Sequence, residues 1–248
     1  SLYERDSHHF DEWCWHRIPR RSNFIMLALK LGLSLVSTPI LGGWSPDDET
    51  SLEAWYQNAV GITLNGSDVS RWEDSSGKGH DLSQVSAAAQ PAYSGGGLTF
   101  DGTDDNLASN QINLSAGSEC TIAIRGDFSS GTGTLLGDDD GTNAFINFQS
   151  TSVLRVRPTS GPADFTLASG TFGDGYIVIT RNTSNLVNAY YNGVAISPAA
   201  TKAGTIKIDN MGSYSTTGFF DGTIKEVQIY TSTSADLTAN INARLASL

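Results

Sequence analysis

From residue 45 onward, clusters of Gly, Asp and Asn cut the chain every 8 to 12 residues, and this punctuation constrains the fold more than any other feature. The runs between clusters are only five to nine residues long, short for helices, and several alternate apolar and polar side chains with a period of two. In CTIAIRGDF the residues Cys120, Ile122, Ile124 and Phe128 share a face, and in AFINFQS the face is Ala144, Ile146 and Phe148. VLRVRPT, FTLAS, YIVITRN, TIKIDN and FFDGTIKEVQIY continue the series, and NAYYNGVAI places Asn192-Gly193 where a two-residue type I′ turn closes a hairpin. Ten to twelve short strands joined this way predict an all-β, antiparallel jelly-roll β-sandwich. Composition agrees, because Gly accounts for 26 residues and only 17% are charged, which leaves few of the side chains that populate exposed helices. Two helical pieces are expected. Ser45-Pro46-Asp47-Asp48 has the cap, the early proline and the acids of a first turn. Near the C-terminus, SADLTANINARLASL aligns Leu237, Ile241, Leu245 and Leu248 on one stripe behind a Ser234 cap.

Charge separates the first 45 residues from the rest. They hold five basic residues (Arg5, Arg17, Arg20, Arg21, Lys30) and four acidic ones (Glu4, Asp6, Asp11, Glu12), whereas the whole chain carries a net charge of −11. The remainder is thus strongly acidic and repels phosphate backbones, so nucleic acid is excluded as a partner. No run of 18 apolar residues escapes a charge, so no membrane span is expected. Cys14 and Cys120 lie far apart in sequence without a CxxC spacing and read as two free thiols.

Residues 1–43 read as an extended N-terminal arm and linker, and residues 44–248 as the jelly-roll domain. In the arm, Leu27, Leu29, Leu31, Leu33 and Leu35 fall on alternate positions, the pattern of a strand with one buried face. Trp13 and Trp15 precede it, and Pro39 and Gly42-Gly43 follow it. Trp13, Trp15, Leu27, Leu29, Leu31 and Leu33 are therefore the candidate assembly residues, docking the arm on a neighbouring subunit. A signal-peptide reading of HRIPRRSN and FIMLALKLGLSLV is weaker, because Lys30 interrupts the apolar run and a long stretch precedes the basic patch. His8, His9, Cys14 and His16 match no zinc spacing.

The stretches VSRWEDSSGKGHDLSQ and PAYSGGGLTFDGTDDNL resemble the W-x-D-x-SG-x-G-H segment and the F-D-G-T-D-D strand and turn of laminin-G-like, or concanavalin A-like, jelly rolls. FGDGYIVITRN, NAYYNGV and GFFDGTIKEVQIYTSTSADLTANINARLA are similar to that family's later strands and closing helix, in the same order. The resemblance spans residues 44 to 247. The residues that carry it have structural work of their own: Trp72 as a buried ring with its N–H on a carbonyl, Asp74 to Gly77 as a side-chain-bonded turn, and Gly102 as a tight reversal after Phe100.

Catalysis has little to stand on in the sequence. The body lacks the E-x-D-x-x-E run that aims two carboxylates into one glycan cleft; Glu73, Glu119 and Glu226 are isolated, and the Asp138/Asp140 pair runs into a turn. His80 is the sole histidine after residue 45 and sits in the turn-rich SGKGHDLS. The chain is expected not to be an enzyme and to need no cofactor. Asp138, Asp139 and Asp140, or Asp101, Asp104 and Asp105, supply oxygens of the type calcium takes, but neither set matches an EF-hand, and no metal site is assigned. Jelly rolls of this kind on short N-terminal segments look like virion proteins of tailed bacteriophages. The resemblance therefore implies a virion structural protein, in capsid decoration or a tail fibre, with a lectin-like domain facing outward toward host-surface glycans. Its partners would be other virion proteins reached through the arm, in a homo-oligomer. The alternative is an extracellular or surface bacterial lectin that binds carbohydrate.

Overall fold

The computed structural model describes residues Gly43–Leu248, one unit. The arm residues Trp13, Trp15, Leu27, Leu29, Leu31 and Leu33 lie outside the described residues. In chain order the strands are β1 (Leu52–Tyr56), β2 (Ile62–Asn65), β3 (Asp68–Trp72), β4 (Leu82–Ser83), β5 (Ala92–Ser94) and β6 (Gly97–Asp101). They continue with β7 (Leu107–Leu114), β8 (Cys120–Asp127), β9 (Gly133–Gly137), β10 (Phe145–Ser150), β11 (Val153–Arg157) and β12 (Ala163–Thr166). The last five are β13 (Asp174–Arg181), β14 (Leu186–Tyr191), β15 (Val194–Thr201), β16 (Ile206–Met211) and β17 (Asp221–Tyr230), followed by the helix α1 (Ala235–Leu245).

Every pairing is antiparallel. One layer runs β1, β17, β8, β13, β14, β15. The other runs β2, β3, β4, β7, β16, β9, β10, β11, β12. The layers join where Thr166 of β12 meets Ser197 of β15, and where β5 and β6 lead from β3 to β17. This is an antiparallel β-sandwich with one short C-terminal helix. The count of seventeen strands exceeds the ten to twelve expected. The additional ones include the two-residue β4 and three-residue β5, and β9 is the glycine-bounded GTLLG, whose extended form comes from ladder bonds to neighbours rather than from its own β-propensity.

Alternation along each strand divides the side chains between two clusters. Ile122 and Ile124 of β8, with Ile177 and Ile179 of β13, face the space between the layers, where Phe128, Phe148, Phe172 and Phe220 pack with ring centroids 4.9–6.5 Å apart. Ala123 and Val178 face the opposite way, onto Leu237, Ile241 and Leu245 of α1. That explains why a helix of eleven residues is stable here: it covers the outer face of the first layer with its apolar stripe, and Ser234 Oγ accepts the Leu237 N–H at 3.0 Å as its N-cap.

The signature residues occupy the positions their chemistry suggests. Trp72 is fully buried and donates its indole N–H to Val60 O at 3.0 Å. Asp74 accepts from the Trp55, Ser76 and His80 backbone N–H groups at 2.9, 2.9 and 3.1 Å, so one carboxylate ties β1 to the turn after β3. Asp101 accepts from Thr103 N at 2.8 Å beside Gly102, whose φ of +73° suits a residue without Cβ. The hairpin turn at Asn192 and Gly193 has φ values of 49° and 76°, as a type I′ turn demands.

Candidate binding groove on the outer face

The register of β13 against β14 pairs Val178 with Tyr190 and Thr180 with Asn188. Because Val178 faces α1, its cross-strand neighbours face outward as well, so Tyr190, Thr180 and Asn188 form a patch that α1 borders without covering. The helix supplies the facing wall through Ser234, Thr238 and Asn242, the last two separated by one helical turn. Between wall and sheet lies a groove of about 500 Å³, ending at the Gly193 turn. Its lining consists of amides, hydroxyls, small residues and one aromatic ring, with no charged side chain. Such an arrangement can offer hydrogen-bond donors and acceptors and an apolar ring face to a neutral, hydroxyl-rich ligand. It holds no carboxylate that could act as an acid, base or nucleophile.

The sequence reading missed this site. Its signal was present in NAYYNGV, where Ala189 and Tyr191 belong to one face and Asn188 and Tyr190 to the other, but nothing local says that a helix some 45 residues later stands beside the second face.

The residues weighed in the sequence for metal or acid–base work have other occupations. Fully buried Asp138 accepts from Gln111 Nε2 at 3.0 Å and from the Thr142 hydroxyl. Asp209 takes the Asp139 N–H at 2.9 Å, and Lys207 pairs with Asp140 at 2.5 Å. That ammonium holds the Asp140 carboxyl below the usual carboxylate range. Asp101, Asp104 and Asp105 bring one oxygen each within 4.8 Å of one another, and Asp105 closes the loop on the Asp101 N–H at 3.0 Å. His80 is buried, with Nδ1 at 3.0 Å from Asn110 Oδ1 and Nε2 at 3.3 Å from Glu53 Oε1. Cys120 is a free, buried thiol pushed up to about 11 by burial. Glu226, isolated in sequence, lies at the centre of a buried network under α1. Among the described residues no helix is long and apolar enough to cross a membrane.

Two buried carboxyls set a pH dependence. Burial pushes Asp105 and Asp209 up to about 6 from the usual 3.8. Above pH 6 both are charged whether the chain is folded or not, and the folded state bears the full cost. As the pH falls from 6 toward 4, the folded protein binds protons that the unfolded chain does not, and stability rises. Below about pH 4 the trend reverses, because Asp81, Asp164 and Asp174, all lowered by hydrogen bonds from arginines, lose their partners. Calorimetry should show a melting temperature at pH 5 roughly 5–10 °C above that at pH 7.5, from about 3 kcal/mol of added stability. Asp209→Asn should remove about half of the rise. A melting temperature that is flat or lower at pH 5 contradicts this assignment.

Compared with known families and with curated proteins, the sequence gives no match. Solved structures do match in shape. Trypanosoma rangeli sialidase superposes with a TM-score of 0.56 at 14% identity, over 80% of this chain and 33% of that one. The binding domain of Paraclostridial Mosquitocidal Protein 1 gives 0.53 at 15%, over 82% and 53%. This chain thus spans a third to about half of those two. Domain 4 of AbnA, a GH43 extracellular arabinanase from Geobacillus stearothermophilus solved with arabinotriose, gives 0.51 at 17%, over 79% of this chain and 98% of the domain. At such identities the likeness establishes the fold alone: residues 43 to 248 adopt an antiparallel β-sandwich shared with these structures.

Proposed function

We propose that the sandwich is a carbohydrate-binding module and that the groove between α1 and the β13–β14 face is where it binds. The observation that carries this is the lining: three asparagine amides, four hydroxyls and the Tyr190 ring converge on about 500 Å³ without a single charge. Sugars present hydroxyls to amides and apolar ring faces to aromatics, and both partners are in place. The likeness to an arabinanase domain solved with arabinotriose supports the same reading. The absence of a carboxylate from the groove lining supports reading it as a binding site rather than a catalytic one, since glycoside hydrolysis ordinarily needs two, spaced around the scissile bond.

The test is titration calorimetry of the full chain against a panel of oligosaccharides, followed by Tyr190→Ala. Removing the ring should weaken the sugar it binds about tenfold, equivalent to 1.4 kcal/mol; the melting temperature falls by the packing Tyr190 makes on the Leu237 and Ile241 cluster, and the variant stays folded at the titration temperature. Unaltered affinity would place the binding surface elsewhere.

The setting implied by the sequence resemblance, display on a tailed-bacteriophage virion with the arm docked on other virion proteins, is part of the same proposal. Its support is the likeness of residues 44 to 247 and the apolar alternation from Leu27 to Leu33. Mass spectrometry of purified particles tests it, and a secreted protein retained on a sugar matrix but missing from particles would favour the extracellular lectin instead.

A further inference from the structure

We infer that the groove selects neutral sugars and rejects acidic ones, with Asn242 as the specificity-determining residue. This rests on the groove being the carbohydrate site.

A sugar carboxylate entering a cleft loses water and must be repaid by a cation or by several donors. None of the lining residues is cationic. The basic residue in the last turn of α1, Arg244, is already engaged by Glu226 at 2.5 Å. One feature could favour an anion, namely the N-terminus of α1, where Ser234 and Ala235 line the groove and the helix dipole amounts to roughly half a positive charge. Two observations oppose it. The Ser234 hydroxyl already takes the Leu237 N–H at 3.0 Å, and exposed Asp236 in the first turn contributes a full negative charge at the same end. A whole charge outweighs half of one, and the net charge of −11 over the chain adds in the same direction.

Donors decide the rest. Asn242 Oδ1 is the one buried side-chain polar atom among the described residues without a hydrogen-bond partner. Native interiors rarely leave such an acceptor unpaired. Asn242 lines the groove with Nδ2 on the Gly193 side, and its terminal torsion is soft and two-fold, so a flip of the amide presents that oxygen to a ligand. A hydroxyl can donate to it and a carboxylate cannot. That oxygen therefore takes a hydroxyl of a neutral sugar and gives nothing to the ionised group of a uronic or sialic acid, whose desolvation only neutral amides and hydroxyls would have to repay.

The experiment uses the full chain and matched probes: lactose against sialyllactose, and oligogalactose against oligogalacturonate, by titration calorimetry at pH 7.5. Each neutral sugar that binds should do so at least about tenfold more tightly than its acidic counterpart. Asn242→Ala should weaken the neutral sugar several-fold, and Asp236→Lys should narrow the gap by raising affinity for the acidic one. Acidic sugars bound as well as neutral ones, with both sensitive to Tyr190→Ala or Asn188→Ala, would overturn the selectivity and leave the groove reading standing. Binding indifferent to Tyr190 and Asn188, or none to any probe, would overturn the groove reading and the selectivity with it. Melting curves of each variant show whether the fold is retained.

Discussion

Replacing Arg181 with Met should lower stability by about 2–4 kcal/mol, the order expected when several carbonyls lose a charged donor at once. Arg181 is completely buried, at the end of β13 opposite Cys120, yet none of its hydrogen-bond partners is a carboxylate. Its guanidinium donates to Ser118 O at 3.2 Å, Gly204 O at 2.9 Å, Leu114 O at 2.8 Å and Ser115 O at 2.6 Å. One side chain thus joins the end of β7, the turn before β8 and the turn before β16. Methionine fills much of the same volume but leaves four carbonyls without that donor; Leu114 O is buried and bears most of the cost, whereas Ser115 and Ser118 are exposed and Ser115 O keeps the Ser118 N–H at 3.2 Å. Lysine keeps the charge but has three donors on a point-like head instead of a planar fork, so Arg181→Lys should cost about half as much. Urea titration provides the check: the midpoint should fall with the slope unchanged. A Met variant within 1 kcal/mol of the parent would mean that the carbonyls find water and that the clamp is dispensable.

The second large effect is expected at Glu226, whose carboxylate has no solvent exposure and collects donors from four residues. Trp55 Nε1 reaches it at 3.1 Å, the Asn58 N–H at 3.1 Å, Gln228 Nε2 at 2.7 Å, and Arg244 through Nε at 2.5 Å and Nη2 at 3.0 Å. Arg244 also lies over the Trp55 ring, 5.0 Å from its centroid, so the helix is fixed to β1 and β17 together. Glu226→Ala strands those donors and should cost about 3–5 kcal/mol. Gln at the same place retains one acceptor and should cost less. The consequence reaches function, because α1 is one wall of the groove. Amides of α1 should exchange faster in Glu226→Ala, and sugar affinity should drop together with helix protection. Arg244→Ala alone, and the double variant, complete a cycle in which the pair should show a coupling of about 1 kcal/mol or more. Unchanged helix exchange in Glu226→Ala would show that apolar burial of Leu237, Ile241 and Leu245 holds the helix by itself.

Much of the sandwich could be read locally. Alternation in CTIAIRGDF and AFINFQS identified core faces because a strand has a two-residue period whatever surrounds it, and Ser234 announced a helix because a cap bonds three residues ahead. The turn at Asn192-Gly193 was legible for the same reason, its two positive φ values being a demand on those residues alone. Where extension depended on a neighbour's ladder, as in β4 and β9, local pattern failed. It failed more completely for buried polar groups. Glu226 looked isolated since its partner Trp55 is 171 positions away, and nothing in YIVITRN marks Arg181 as a clamp, because its carbonyl partners lie up to 67 positions off.

What the sequence determined by itself is therefore the set of strands with strong alternation, the tight turns and the closing helix, each fixed by interactions within a few residues. Tertiary structure alone decided which outward faces form a groove. Asn188 and Tyr190 line a groove only because α1 packs over Val178 next to them and sets Asn242 opposite, and that placement is governed by the apolar stripe of the helix and by the Glu226–Arg244 pair, 18 residues apart in sequence but closed only by the folded sheet. A groove is a relation between two elements, and its chemistry is written in neither until long-range packing has brought them together.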